Sequence, residues 1–105
     1  MVPSSAPAVP APADALFSMP VEDVFTITGR GTVVTGRVAT GTLAVGDRVS
    51  VVRAGSVLTM TEVTGIEAFR SRRTTASAGD AVGVLLKGVG RDDVQRGDEL
   101  RGSGA

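Results

Sequence analysis

The chain has 105 residues, 42% of them hydrophobic, and balances 11 basic against 11 acidic residues. A length of this order supports one domain burying roughly 60 to 65% of its extended-chain surface, and zero formal charge supplies no global field toward nucleic acid or membrane, so any RNA contact rests on a local patch. The absence of Cys and His excludes a disulfide framework and thiolate zinc sites, and removes the usual general base and commonest metal ligand. Residues 1–14 are Pro/Ala-rich without an apolar period and read as a disordered tail. They lack the basic n-region and continuous apolar core of a secretory signal, and no later run approaches the ~20 apolar residues of a membrane helix. The expected localisation is cytoplasmic.

From residue 15 the apolar residues fall in short runs divided by Gly and Asp, which suits strands of about five or six residues. The pattern predicts strands at Val21–Thr28, Gly31–Ala39, Asp47–Arg53, Leu58–Phe69, Ala81–Lys87 and Glu99–Arg101. The best helical candidate, Arg91–Gln95, is one turn that Asp92 or Asp93 could cap. Three Gly-Asp pairs, Gly46-Asp47, Gly79-Asp80 and Gly97-Asp98, each precede an apolar residue by two positions. They read as turns that launch strands, because Gly supplies positive φ and the Asp carboxylate bonds nearby N–H groups. The expected fold is all-β, a small closed or nearly closed antiparallel β-barrel over residues 15–101, with a flexible C-terminus at 102–105; closure would remove exposed sheet edges.

Ordered landmarks from Leu16 to Leu100 carry a resemblance. They include Phe17 to Pro20 with Val21-Glu22-Asp23-Val24-Phe25, then Gly29-Arg30-Gly31-Thr32-Val33-Val34-Thr35-Gly36-Arg37-Val38 and Val45-Gly46-Asp47. Further on stand Thr64-Gly65-Ile66-Glu67, Phe69-Arg70, Ala78-Gly79-Asp80 and Val82-Gly83-Val84-Leu85-Leu86. This series resembles the second, β-barrel domain of elongation factor Tu and related translational GTPases, here without the GTPase domain. The resemblance implies a non-catalytic binding module contacting an RNA 3′ end, the aminoacyl-tRNA CCA end, or ribosomal RNA. Its alternative is a stand-alone protein-interaction barrel that completes a separate GTPase subunit or docks on a ribosomal protein. No membrane or DNA partner and no cofactor are expected.

Positions matching the family place the candidate surface at Glu22, Asp23, Phe25, Gly29, Arg30, Glu67, Phe69 and Arg70. The chemistry suits single-stranded RNA ends, which are read by stacking, edge contacts and 2′-OH contacts. Phe25, Phe69 and Arg70 offer planes; Glu22, Asp23 and Glu67 can accept bonds from an amine, a ribose hydroxyl or an aminoacyl ammonium. Each residue also has a plainer reading: core packing for Phe25 and Phe69, solvated strand-edge charge for Glu22 and Asp23, an exposed Glu67–Arg70 ion pair, and a structural surface charge for Arg37.

Two departures from the family stand out. Ala81 occupies a position that usually carries Asn, and Ser71-Arg72-Arg73-Thr74-Thr75-Ala76 replaces a partly apolar, acidic segment. Arg70, Arg72 and Arg73 form the only dense basic patch, either a solubilised surface or a contact for an anionic partner. No G-x-x-x-x-G-K-[ST] loop is present and the only Lys is Lys87, so nothing resembles a GTP phosphate cradle. The expected binding is constitutive and weak.

Overall fold

The computed structural model describes residues 16–29, 31–68, 71–90 and 92–102. Ten strands run in chain order: β1 (Ser18–Pro20), β2 (Asp23–Ile27), β3 (Gly31–Arg37), β4 (Thr42–Ala44), β5 (Arg48–Arg53), β6 (Ser56–Ala68), β7 (Ser71–Arg73), β8 (Thr75–Ser77), β9 (Ala81–Leu86) and β10 (Glu99–Gly102). No helix occurs among the described residues, and none is long and apolar enough to cross a membrane. The principal sheet is antiparallel in the order β1-β10-β5-β6-β9-β3-β2, with β7 added to β6, and β4 pairs with β8 separately.

The strands form where alternation and β-branched residues coincide. Val49 and Val51 on β5, Val34 on β3, and Val82, Val84 and Leu86 on β9 point into one core with Met19, Val63, Ile66 and Leu100. Phe17 is the buried aromatic of that cluster. Leu43 and Ala76, opposite each other in the β4–β8 pair, are also core members. The six expected strands are present with shifted ends, β2 beginning at Asp23 and β6 already at Ser56. The four three-residue strands β1, β4, β7 and β8 are additional to them, because so short a run carries too little alternation to stand out. Residues 91–95 were expected to form a helical turn; Arg91, like residues 1–14, lies outside the described residues, and residues 92–95 form no helix but a plain turn, in which Asp93 accepts a hydrogen bond from the Gly90 N–H at 3.0 Å.

The three Gly-Asp pairs share one geometry. In each, the Asp N–H donates to the carbonyl three residues back, at Ala44, Ser77 and Gln95, and the Asp Oδ2 accepts from the N–H of that same residue at 2.9 Å. The intervening glycines sit at φ of 95 to 99°. All three carboxylates are thus engaged in turn geometry that starts β5, β9 and β10.

Asp98 does more than shape its turn. Its buried carboxylate receives Arg53 Nε at 2.8 Å and Nη2 at 2.9 Å, a two-pronged contact joining the end of β5 to the entry of β10. The Arg53 hydrogen bonds hold the Asp98 carboxyl below its ordinary value, against the opposing pull of burial, and the Gln95 N–H adds to the depression. A second constraint lies where the β1–β2 segment crosses β3: a Cβ on Gly36 would stand 2.2 Å from the Pro20 carbonyl oxygen and 3.2 Å from Met19 Cγ. Only a glycine admits that crossing without backbone movement.

Because the Asp98 value is depressed in the folded protein, its stabilisation is complete above the ordinary Asp range near about 3.9 and is lost as pH falls below it. Thermal unfolding followed from pH 6 to pH 2 should show a loss of stability in that acid range that is reduced in Asp98→Asn. Asp98→Ala should cost about 1 to 3 kcal/mol at neutral pH, since it removes the buried acceptor of the part-buried bonds from Arg53 and the Gln95 N–H. Gly36→Ala should lower stability by about 1 to 3 kcal/mol in denaturant titrations through overpacking; an unchanged midpoint would show that the Pro20 crossing relaxes freely.

Candidate nucleic-acid interface

Strands β2, β3, β9 and β6 lie side by side, and their register sets which side chains share a face. Directly opposed residues on neighbouring strands point the same way, as do residues two apart on one strand. One row reads Asp23, Thr35, Gly83, Glu67 and Arg72; the next reads Phe25, Val33, Leu85 and Gly65. The row between them, Val24, Val34, Val84 and Ile66, turns to the core, where Val34 and Val84 are fully buried. The two outer rows therefore face away from the core.

Glu67 reaches this face through an irregularity in β6. Val63 opposes Leu86 and Gly65 opposes Leu85, which leaves Thr64 as an extra residue. Strict alternation from the buried Val63 would send Gly65 and Glu67 inward; the β-bulge at Thr64 reverses the phase, so that Ile66 enters the core and Glu67 turns out. The bulge thereby places a carboxylate on the outer surface instead of in an apolar interior.

A cleft of about 580 Å³ opens on this face. Its apolar floor is supplied by Val33, Leu85, Ile27 and Val45, and Gly65 and Gly83 contribute no side chain where neighbouring rows would be filled. Glu67, Arg72, Arg73 and Lys87 stand among its lining residues. Arg72 Nε approaches Glu67 Oε2 at 4.0 Å with both side chains well exposed, and Arg73 Nη1 approaches Asp80 Oδ2 at 4.0 Å. Such exposed pairs contribute little to stability and leave the guanidinium groups available to a ligand.

The sequence-derived positions divide accordingly. Glu67, Arg72 and Arg73 come together at the cleft. Asp23 and Phe25 lie on the same face one strand beyond, and Phe25 is 53% exposed opposite Val33, which removes the core-packing reading for that ring. Asp23 Oδ1 accepts from the Val24 N–H at 3.1 Å and lies 3.5 Å from Arg96 Nη2. Glu22 is exposed in the β1–β2 connection, its N–H bonded to the Thr35 carbonyl at 2.7 Å, and does not line the cleft. Gly29 borders a separate shallow hollow with Gly31, Gly88 and Gly90. Arg30, Phe69 and Arg70 lie outside the described residues. Arg37 donates to the Gly79 carbonyl at 2.8 Å, in keeping with a structural surface charge.

Sequence reasoning missed the floor residues Val33 and Leu85. A signal was available: in Val33-Val34 and Leu85-Leu86, successive strand residues point to opposite faces, so one member of each pair must leave the core. Among the described residues no group of His, Cys, Asp and Glu is arranged to hold a metal ion. A family model described as elongation factor Tu domain 2 matches residues 31–100, which takes in β3 to β9 and the opening of β10. With two thirds of its length matched, this all-β chain belongs to the elongation factor Tu domain 2 family and is a translation-factor-type module.

Proposed function

We propose that the chain is a non-catalytic RNA-binding module of translation whose outer-face cleft receives a single-stranded RNA 3′ end of the CCA class, or an equivalent exposed segment of ribosomal RNA. The observation that carries this reading is the cleft itself: an apolar floor at Val33 and Leu85, one carboxylate at Glu67, and cationic groups at Arg72, Arg73 and Lys87. A base can lie on the floor, a ribose hydroxyl or exocyclic amine can donate to Glu67, and phosphate can meet the guanidinium groups. Phe25 adds an exposed ring on the same face, and one stacking contact is worth about 1 to 3 kcal/mol. Binding by so small a site is weak and constitutive, and Glu22, Gly29, Arg30, Phe69 and Arg70 extend it in this reading.

The same proposal takes residues 15–101 as one barrel acting in the cytoplasm. Support comes from the two ends of the strand path: β1 and β2 are consecutive in the chain, and the Val21 N–H bonds the Asp98 carbonyl while the Glu22 N–H bonds the Thr35 carbonyl. The segment thus leans on both edges of the sheet. A second reading, docking on a GTPase subunit or ribosomal protein, is favoured by exposed Val57, Leu58 and Met60 on the first half of β6.

Gly65→Val separates these readings. A Cβ there would meet Leu85 Cβ at 3.6 Å, ordinary van der Waals contact, so the position accepts a Cβ, the further methyls of Val fill part of the cleft, and a thermal melt checks that the variant is folded. Fluorescence anisotropy with a short CCA-ended RNA should show saturable, salt-sensitive binding that falls at least about fivefold in Gly65→Val. Unchanged affinity would move the RNA contact away from the cleft, and no binding would favour protein docking.

A further inference from the structure

The first half of β6 is an open sheet edge. Residues 56–62 pair with β5 alone, whereas β9 joins β6 only from Val63 and β7 only from Ile66. Beyond Met60 the gap narrows: the Lys87 N–H donates to the Glu62 carbonyl and the Thr61 hydroxyl to the Lys87 carbonyl. Among the described residues no strand pairs with residues 56–60 on the side away from β5. Val63 fixes which backbone groups are left over. Its N–H donates to the Asp47 carbonyl and its carbonyl accepts from the Gly46 N–H, so both face the β5 side. Alternation along the strand then turns the N–H and C=O of Thr61 and Thr59 toward β5, and those of Met60 toward the open side.

Such an edge is a template for another strand unless charge or proline guards it. The other free edges of the principal sheet are guarded: Pro20 closes β1, Asp23 opens β2, and β7 carries Arg72 and Arg73. Residues 56–61, Ser-Val-Leu-Thr-Met-Thr, hold neither charge nor proline. They are also apolar where solvent meets them, since Val57, Leu58 and Met60 are all exposed. The register shift at Val51/Val52 makes Leu58 an extra residue on β6, so that Val57 and Leu58 are exposed together instead of alternating.

We infer that this edge pairs antiparallel with the same edge of a second copy of the chain, giving a two-fold dimer with a continuous sheet. Charge selects both the occupant and its direction. With the two-fold axis at Thr59, Met60 of each copy opposes Leu58 of the other, and Glu62 opposes the neutral Ser56, so no like charges meet. A parallel copy in register would set Glu62 against Glu62. An axis at Met60 would make the copy compete with the Lys87 N–H for the Glu62 carbonyl. The segment is therefore self-complementary in one register, and that register consumes the open edge of both copies. Roughly six residues from each copy fall well short of the about 20 to 30 a side in a stable interface, so the dimer is weak. It requires no RNA.

Sedimentation velocity of the full chain, without RNA and at rising concentration, tests this. A monomer–dimer equilibrium with a dissociation constant on the order of 0.1 mM is expected, together with slower amide hydrogen exchange at Met60 as the concentration rises. Leu58→Lys with Met60→Lys, both exposed positions, should weaken the dimer at least about tenfold by setting lysine against lysine. Leu58→Lys with Met60→Glu should restore it, because each acid then faces the other copy's lysine. Retained amide dispersion in NMR spectra checks that both variants are folded. A chain that stays monomeric up to about 1 mM would overturn the dimer and leave the edge to a strand from a different protein. A dimer indifferent to the lysine pair, or one that the lysine–glutamate variant fails to restore, would overturn this edge and register. Association that continues beyond two copies would overturn the two-fold closure.

Discussion

The β-bulge at Thr64 is the constraint from which the cleft-bearing outer face follows. A strand repeats every two residues, and β6 must serve two neighbours, β5 along its first half and β9 with β7 along its second. Without the extra residue, Val63 and Ile66, three apart, could not both enter the core, although both are essentially fully buried. Each such burial is worth roughly 1.5 to 3 kcal/mol, and an unpaired Glu67 turned inward would cost several kcal/mol more. The bulge resolves the conflict at the expense of one unpaired position, and it sets Gly65 and Glu67 on the surface beside Leu85 and Gly83. Core packing and cleft formation are thus two consequences of a single phase change.

The remaining constraints hold that face in place from a distance. The repeated Gly-Asp turn starts β5, β9 and β10 with the same pair of hydrogen bonds, and Asp98 adds the two-pronged Arg53 contact that ties β10 to β5. Gly36 allows Pro20 to cross close to β3, which brings the chain from its pairing with β10 to its pairing with β3. Asp98, Gly36 and the turn aspartates act on stability, whereas Glu67, Arg72, Arg73 and the glycine-bordered floor offer groups to a ligand. The two sets share no residue, and the exposed Arg73–Asp80 pair at which they meet contributes little to stability, so the face can vary in charge without threatening the fold.

Much of the fold was legible because Val-rich runs alternate and Gly-Asp pairs punctuate them; the longer strands and the three turns follow from those signals. What was hidden had physical reasons. β4 and β8 owe their strand geometry to each other, and their three-residue lengths give no local signal. The bulge was concealed within an unbroken β-prone run, although the odd spacing of Val63 and Ile66 was its trace. At the site, acids and aromatics drew attention because they carry chemistry, so Glu67 and Phe25 were anticipated, whereas Val33 and Leu85 looked like core. Glu22 and Gly29 were grouped with the cleft by the family pattern, yet the fold sets them beside it.

The central claim is that a nucleotide lies on the floor between Val33 and Leu85. Methyl-labelled protein mixed with a short CCA-ended RNA would test it most directly through intermolecular NOEs. The account predicts contacts from base and ribose protons to the methyl groups of Val33, Leu85 and Ile27, with the methyls of Val57, Leu58 and Met60 silent. Contacts confined to that second group, or none to the cleft methyls under saturating RNA, would contradict it.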